Sequence, residues 1–301
     1  MQINQITSQI IQDATQLNLL DSIKFSSLGL ADSKHSSEIL TFIESEKYIQ
    51  VINNNTCIKG VFCSQEISEL KQFRDDILLI IVDDPKWYFF SLVDFQGKKI
   101  KREKTFIHKN TYISPSATIA EYGVHIGSNC TIEPNVVIME GVFIEENVTI
   151  RAGTVIGCNG FEFKDTSRGR ISVCHDGIVQ IKNNVEIGGN CFIGKGFSYR
   201  PTILGQWTKL DALVHYAHGS QCGEYCLIAA QAMIAGNVTI GNHVWIGPSA
   251  SISNRIILGD KCFVTLGSVV TKHVKENETV TGNFAIPHNT FIKTLKKNLN
   301  A

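Results

Sequence analysis

The sequence predicts a mainly β protein whose larger part is a parallel β-helix, and three observations carry that prediction. An aliphatic residue returns every six residues from about Ile107 onward. A small or β-branched residue stands two positions before it, as Val148 stands before Ile150. A glycine often follows it, as Gly157 follows Ile156, where a corner requires a residue that tolerates positive φ. Six residues therefore form one short strand and one turn.

The repeat runs through most of the chain in three series. Its inward aliphatic positions are Ile107, Ile113 and Ile119, then, after one extra residue, Ile126, Ile132, Ile138, Ile144, Ile150 and Ile156; Ile181, Ile187, Ile193 and Tyr199; and Leu204, Leu210, Tyr216, Cys222, Ile228, Ile234, Ile240, Ile246, Ile252, Leu258, Val264 and Val270. Three hexads close one coil, and successive coils stack at roughly 4.8 Å through parallel hydrogen bonds. Residues 18 apart are therefore expected directly above one another.

The same pattern accounts for most of the cysteines. The chain has nine, an odd number without a pairing pattern. Five of them fall on inward positions of the repeat, where a small apolar side chain is needed; these are Cys130, Cys191, Cys222, Cys226 and Cys262. We expect them to pack in the core instead of serving redox or metal chemistry.

The regions flanking the repeat define the predicted domains. Residues 1–100 lack the hexad and show mixed helix and strand patterns, which predict a small α/β domain. The β-helix is predicted over residues 101–272, with a polar excursion at 157–180 that is too long for an ordinary corner. Residues 273–301 are predicted to close the open end with a cap and a short helix.

Composition narrows the class of protein. The 28 basic residues balance 28 acidic ones, and no run of like charge predicts a nucleic-acid surface. The polar start MQINQITSQIIQDATQ indicates neither a signal peptide nor a membrane span. We therefore expect a cytoplasmic protein.

Three segments resemble a known family: LTFIESEKYIQVI in the first domain, VIGCNGFEFK at the excursion, and KLDALVHYAHGSQCGEYCLIAAQAMIAGNVTIG in the third series. Over the chain from about residue 26, they are similar to the hexapeptide-repeat sugar N-acyltransferases, which include the UDP-3-O-acylglucosamine N-acyltransferases of lipid A synthesis and related nucleotide-sugar enzymes. The resemblance implies a left-handed β-helix and a homotrimer with active sites between subunits. It also implies no tightly bound cofactor.

The resemblance gives two residues the central roles. The family's general base matches His218, and the backbone amide that stabilises the oxyanion matches Gly236. An ordinary histidine pKa near ~6.5 suits a base at neutral pH. Counting in steps of 18 places His218 between Arg200 and Gly236. The alternative is that His218 is a surface histidine of a turn, and the surrounding motif favours the catalytic interpretation.

For the acceptor, the resemblance maps an aromatic pair that sandwiches the nucleotide base onto Phe42 and Tyr48, with Lys47 beside them. Stacking accepts uracil and thymine alike. Asp211 and His215 stand where the family contacts the sugar, although His215 replaces an amide and also fits a surface position. Ordinary aromatic packing is the alternative for the pair, so the first domain is a nucleotide-binding domain only by resemblance.

The donor end departs from the lipid A enzymes. Asn254 or Arg255, depending on a one-residue gap, replaces the family's second histidine. The closing coil instead resembles coenzyme A-dependent acetyltransferases, for which Lys272 and Lys275 are the nearest phosphate-binding candidates. We therefore expect acyl-coenzyme A as co-substrate and a short acyl group moved to the amine of a dTDP- or UDP-linked amino sugar in O-antigen or lipopolysaccharide synthesis.

Three alternatives stay open. The first is the lipid A reaction itself, with a hydroxyacyl group on acyl carrier protein as donor. The second is a non-catalytic trimeric scaffold, since hexapeptide helices also serve in that way. The third is a metal-dependent β-helix hydratase, but His215 and His218 have no further histidine on the same stack, so no metal site is expected.

Overall fold

The chain forms an α/β part, a three-faced solenoid of parallel strands and a C-terminal helix. This computed structural model describes residues 5–19, 22–282, 285 and 287–299. Parts of the predicted first domain and of the predicted 273–301 cap lie outside the described residues. Among the described residues, no helix has the length and apolar character needed to cross a membrane.

The N-terminal part is a small parallel sheet with helices. Its strands are β1 (Ile6–Thr7), β2 (Lys24–Phe25), β3 (Ser27–Leu28), β4 (Ile39–Phe42), β5 (Ile58–Cys63) and β6 (Leu78–Ile81). Its helices are α1 (Ser8–Thr15), α2 (Ile49–Asn54), α3 (Gln65–Glu69) and α4 (Pro85–Lys99), and a 3₁₀ turn covers Glu46–Tyr48. Strands β3 to β6 pair in parallel in that order, and β1 pairs antiparallel with β2.

The solenoid has three faces of stacked strands. The first face contains Phe106–Ile107, Val124–Ile126, Val142–Ile144, Val179–Ile181, Thr202–Leu204, Gln221–Cys222, Thr239–Ile240 and Ile257–Leu258. The second contains Tyr112–Ile113, Thr131–Ile132, Thr149–Ile150, Glu186–Ile187, Lys209–Leu210, Leu227–Ile228, Trp245–Ile246, Phe263–Val264 and Thr279–Val280. The third contains Thr118–Ile119, Val137–Ile138, Val155–Cys158, Phe192–Gly194, His215–Tyr216, Met233–Ile234, Ser251–Ile252 and Val269–Val270. The predicted left-handed parallel β-helix is confirmed.

The strand register confirms the 18-residue coil over most of the solenoid, but one insertion was missed. Ile126 pairs with Ile144, as the spacing predicts. Ile193, however, pairs with Tyr216, because five extra residues form a tight turn closed by hydrogen bonds between Phe197 and Arg200. Tyr199 was therefore wrongly assigned to the repeat; it packs against the N-terminal core.

The solenoid core contains the predicted inward residues from Ile126 onward, apart from Tyr199. In the first coil Ile113 and Ile119 are only partly buried, and Ile107, predicted to face inward, is 38% exposed. The five cysteines assigned to packing are all buried there, which confirms that part of the prediction.

Gly157 has the positive φ expected of a glycine after the aliphatic position, but most of the other glycines at this position serve a different purpose. At Gly188, a Cβ would lie 2.4 Å from the carbonyl carbon of Asp211 in the next coil, so close approach excludes a side chain. Residues further along the corner, such as Asn190, take the positive φ instead.

The excursion forms a β-hairpin that packs on helix α4. Its strands are Phe163–Thr166 and Gly169–Ser172. The Asp84 carboxylate at the N-terminus of α4 accepts two hydrogen bonds of 2.6 Å from the Ser167 backbone N–H and hydroxyl. The Arg168 guanidinium lies 3.8 Å from the Trp87 ring centroid. The hairpin therefore joins the solenoid to the N-terminal part. Helix α5 (His288–Leu299) follows the last coil.

Candidate active site

His218 lies at the corner that follows the third-face strand His215–Tyr216. Tyr216 anchors this strand, because its buried ring fills the core and its hydroxyl donates to the Ile203 carbonyl oxygen at 3.0 Å. His218 is itself only 6% exposed. Gly236 occupies the same corner one coil further on, where a Cβ would lie 2.6 Å from His218 Cε1 and 2.8 Å from Nε2. Only glycine leaves room for the imidazole.

A second glycine, from the excursion, closes the other side of the ring. A Cβ on Gly160 would lie 2.5 Å from His218 Cδ2. The Gly160 N–H donates to His175 Nε2 at 3.1 Å, and His175 Nδ1 lies 3.1 Å from the Val173 carbonyl oxygen. Because Nε2 accepts, Nδ1 carries the proton of a neutral ring. Burial lowers the pKa of His175 to about 4, so this ring stays neutral and holds the excursion in place.

Two charged side chains of the excursion reach His218. The Glu162 carboxylate lies 3.5 Å from His218 Nε2, and the same carboxylate forms an ion pair with Lys164. Burial lowers the pKa of His218, while the Glu162 charge opposes that shift. His218 Nδ1 is buried without a hydrogen-bond partner among the described residues. The site therefore presents a neutral imidazole with one unused nitrogen.

Arg200 does not lie beneath His218, contrary to the expectation from 18-residue spacing. The five-residue insertion displaces it, and its Nε donates to the Gly219 carbonyl oxygen at 2.8 Å. Its Nη2 donates to Thr239 Oγ1, also at 2.8 Å. Arg200 therefore fastens neighbouring coils together beside the site.

The predicted sugar-binding residues are near His218 in sequence but point to different surroundings. His215 faces outward on the third face and stacks on Phe192, with ring centroids 4.9 Å apart. Asp211 is exposed at a corner, and its Oδ1 accepts from the Ala212 N–H at 2.7 Å. Both side chains remain free to meet a ligand from the solvent side.

Asn254, and not Arg255, occupies the corner one coil above Gly236. Ser251 pairs with Val269 and Met233 with Ser251, so Gly236, Asn254 and Lys272 occupy equivalent corners of successive coils. Arg255 instead aligns with Asn237, and its N–H donates to the Gly236 carbonyl oxygen at 3.0 Å. Asn254 and Lys272 are both exposed.

The predicted nucleotide pair occupies two environments. Phe42 is half-buried and lies 4.9 Å from Phe89 and 5.4 Å from Phe90 between ring centroids. Tyr48 is 42% exposed, and Lys47 Nζ lies 4.9 Å from its ring centroid. Phe42 thus belongs in part to the core, whereas Tyr48 and Lys47 are open to solvent.

Sequence reasoning missed three residues around His218: Gly160, Glu162 and His175. The excursion has no period, so spacing could not place them next to a corner of the solenoid. The signals were the polar string at 157–180 and the family-like segment VIGCNGFEFK, which marked this part of the chain without assigning roles to these residues. Within the described ranges, no group of three His, Cys, Asp or Glu side chains converges in a way suited to a metal ion.

The chain was compared with family models and with solved structures. Hexapeptide family models match residues 123–158 (Bacterial transferase hexapeptide, six repeats) and residues 184–212 and 237–272 (Hexapeptide repeat of succinyl-transferase). Among solved structures, the UDP-N-acetylglucosamine acyltransferase of Francisella novicida aligns with a TM-score of 0.45 at 20% identity, covering 63% of this chain and 73% of that one.

Three similar curated proteins are named UDP-3-O-acylglucosamine N-acyltransferase. The protein of Helicobacter pylori is 34% identical over 240 residues, covering 71% of this chain and 70% of the relative. That of Bordetella pertussis is 32% identical over 287 residues, covering 83% and 78%. That of Wolinella succinogenes is 35% identical over 166 residues, covering 55% of this chain and about half, 52%, of the relative.

The coiled hexads and the matched repeats define a hexapeptide-repeat acyltransferase. Within that class, the Helicobacter and Bordetella proteins are 34% and 32% identical to this chain over more than two thirds of their own length. This chain belongs to the UDP-3-O-acylglucosamine N-acyltransferase family.

Proposed function

We propose that this protein moves an acyl group from a thioester to the amine of a nucleotide-linked glucosamine of the UDP-3-O-acylglucosamine type, with His218 as general base. The relatives' shared name supports the acceptor and the reaction. The observation that carries the proposal is the imidazole of His218 held against Gly236 at one corner of the solenoid. This lipid A-type acceptor has better support than the dTDP- or UDP-linked amino sugar of O-antigen synthesis expected from the sequence.

The reaction begins when the lone pair of the sugar amine attacks the thioester carbonyl carbon, forming the C–N bond. His218 takes a proton from the amine nitrogen as the tetrahedral intermediate forms. The oxyanion accepts a hydrogen bond from the Gly236 N–H, which donates to no acceptor among the described residues. The C–S bond then breaks, and the imidazolium returns its proton to the departing sulfur, giving an amide and a thiol.

The environment of His218 suits this role. A base must be neutral before it can accept a proton, and burial lowers its pKa from the ordinary value. At neutral pH the ring is therefore ready to accept. Comparable general bases contribute roughly 10²–10⁴ in rate.

The donor is proposed to approach along the column that contains Asn254 and Lys272. A thioester of acyl carrier protein is the first candidate donor, supported by the resemblance to the lipid A enzymes. Acyl-coenzyme A is the second candidate, favoured by the exposed Lys272 ammonium, which can pair with a phosphate. Tyr48 and Lys47 are proposed to contact the nucleotide, and Asp211 and His215 the sugar, across a cleft completed by a neighbouring subunit of a homotrimer.

The test compares four substrate pairs with purified protein: UDP-3-O-acylglucosamine or a dTDP-linked amino sugar, each with acyl carrier protein or coenzyme A thioesters. We expect N-acylation of the UDP-linked sugar, and we expect His218→Ala to lower kcat by about 10²–10⁴. Activity restricted to the dTDP-linked sugar would replace the acceptor assignment. Unchanged turnover in His218→Ala would refute the base assignment.

A further inference from the structure

We propose that Glu162 is a positioning residue for the general base: its carboxylate fixes the orientation of the His218 ring and stabilises the imidazolium formed during acyl transfer. This inference rests on the proposed function and assigns a role to a side chain of the excursion. Neither the hexapeptide repeat nor the 18-residue spacing identifies this residue.

The first support is the geometry of the slot. Gly160 and Gly236 close on the imidazole of His218 so tightly that neither can carry a Cβ without a clash. Glu162 is the acidic side chain that reaches the ring in this slot, with its Oε2 3.5 Å from Nε2 and its side chain only 19% exposed.

The second support is the way in which Glu162 is held. It lies two residues beyond Gly160, and the N–H of Gly160 is anchored by the neutral His175. On its far side the carboxylate pairs with Lys164, whose Nζ lies 5.3 Å from the Phe90 ring centroid. The carboxylate is therefore fixed from both directions, which a positioning group requires.

The balance of charge around His218 determines the expected effects. Glu162 favours the protonated ring, whereas Lys164 and His215 disfavour it, and burial lowers the pKa more than any of these. His175 lies 5.2 Å away between ring centroids and is neutral at the pH of catalysis. Removing the Glu162 carboxylate should therefore lower the pKa of His218, and removing the Lys164 ammonium should raise it.

The carboxylate acts on the ring through its charge. Glu162 Oε2 lies 3.5 Å from His218 Nε2, so the positive charge that the imidazole gains with the amine proton forms next to a negative one. Comparable carboxylate–histidine pairs operate in serine hydrolases.

The kinetic experiment uses Glu162→Gln, Glu162→Asp and Lys164→Gln in the full chain. In Glu162→Gln we expect kcat to fall about 10-fold or more, with KM for the acceptor unchanged. The acid limb of its pH–rate profile should move to lower pH, since the imidazolium loses its counter-charge. Lys164→Gln should move the limb to higher pH. Glu162→Asp should recover part of the lost rate.

A second measurement does not depend on the substrate. The protein is labelled with ¹³C-histidine, the His218 signal is assigned by its loss in His218→Ala, and its titration is followed by NMR. We expect a lower His218 pKa in Glu162→Gln and a higher one in Lys164→Gln. Glu145→Gln is the matched control, because Glu145 also pairs with a lysine, Lys182 at 2.8 Å, but at another place in the solenoid.

The outcomes are separable. If Glu162 only stabilises the hairpin, Glu162→Gln and Lys164→Gln will lower Tm alike, and neither the pH limb nor the NMR titration will move; this overturns the inference. If His218→Ala retains activity while the Glu162 variants shift the His218 titration, the proposed base is wrong, but the pairing of Glu162 with the ring stands. Opposite shifts in the two variants support the inference.

Discussion

At the scale of single residues, the pKa of His218 connects structure to pH dependence. Because burial lowers this pKa, the ring loses its proton below the ordinary value of about 6.5. We expect kcat/KM to rise with pH through an apparent pKa below 6.5 and then to level off. A pH–rate profile measures this apparent pKa, and a separate titration of the free sugar gives the pKa of its amine. An apparent pKa above 7 that does not come from the sugar amine would contradict the expected effect of burial on His218.

Gly236 provides a second prediction at this scale. In Gly236→Ala, the new Cβ would lie 2.6 Å from His218 Cε1, so the ring must move. A displacement of about 1 Å can cost roughly 10² in rate, and we expect at least that loss in kcat. Gly282→Ala is the control, since its Cβ would meet no atom closer than 3.7 Å. Equal activity in the two variants would show that the slot does not constrain the base.

The sequence could predict some residue positions and not others, for a physical reason. His218 and Gly236 were placed together because both lie on the periodic coil, where position follows from counting. Glu162 and His175 lie on the excursion, whose path depends on contacts with helix α4 and not on a period. The prediction misplaced Arg200 because the five-residue insertion before the next strand changes the six-residue spacing of hydrophobic residues by only one position.

At the scale of secondary-structure elements, Asp84 joins two of them. One oxygen accepts from the Trp87 N–H at 2.9 Å and caps helix α4, while the other holds Ser167 of the hairpin. We expect Asp84→Ala to destabilise the protein by about 1–3 kcal/mol, since it removes a helix cap and charge-assisted hydrogen bonds. Thermal or urea unfolding measures the loss.

Ser167→Ala is the comparison for that variant. It keeps the helix cap and the backbone hydrogen bond and removes only the hydroxyl, so the free energy of unfolding should fall by about 1 kcal/mol or less. Equal destabilisation by both substitutions would mean that the cap on α4 contributes nothing. A selective loss of kcat in Ser167→Ala would indicate that the hairpin also positions the site.

The corners of the solenoid show the limit of prediction at this scale. The hexad correctly gave strand after strand, because inward aliphatic residues leave little choice of register. It gave the right reason for Gly157, which has a positive φ, but not for most of the other glycines, which permit close approach between coils while corner residues such as Asn190 adopt the positive φ. Composition alone cannot separate these two uses of glycine.

At the scale of the whole molecule, the proposed cleft requires neighbouring subunits. Apolar side chains on the outer surface of the second face, including Leu227 and Phe263, are 44% and 43% exposed in the single chain. Trp245 stacks on Phe263 with ring centroids 5.7 Å apart. We expect sedimentation to give about 100 kDa, three times the 33.3 kDa of one chain. A stable monomer with full activity would contradict a site between subunits.

The five thiols buried in the solenoid can report on its local unfolding. They are spread along its length, from Cys130 through Cys191, Cys222 and Cys226 to Cys262, and the structure contains no disulfide among the described residues. Burial raises the pKa of Cys130, Cys191 and Cys262, so alkylating reagents reach them only after local opening. Mass spectrometry of protein alkylated in mild denaturant would therefore record which end of the helix unwinds first.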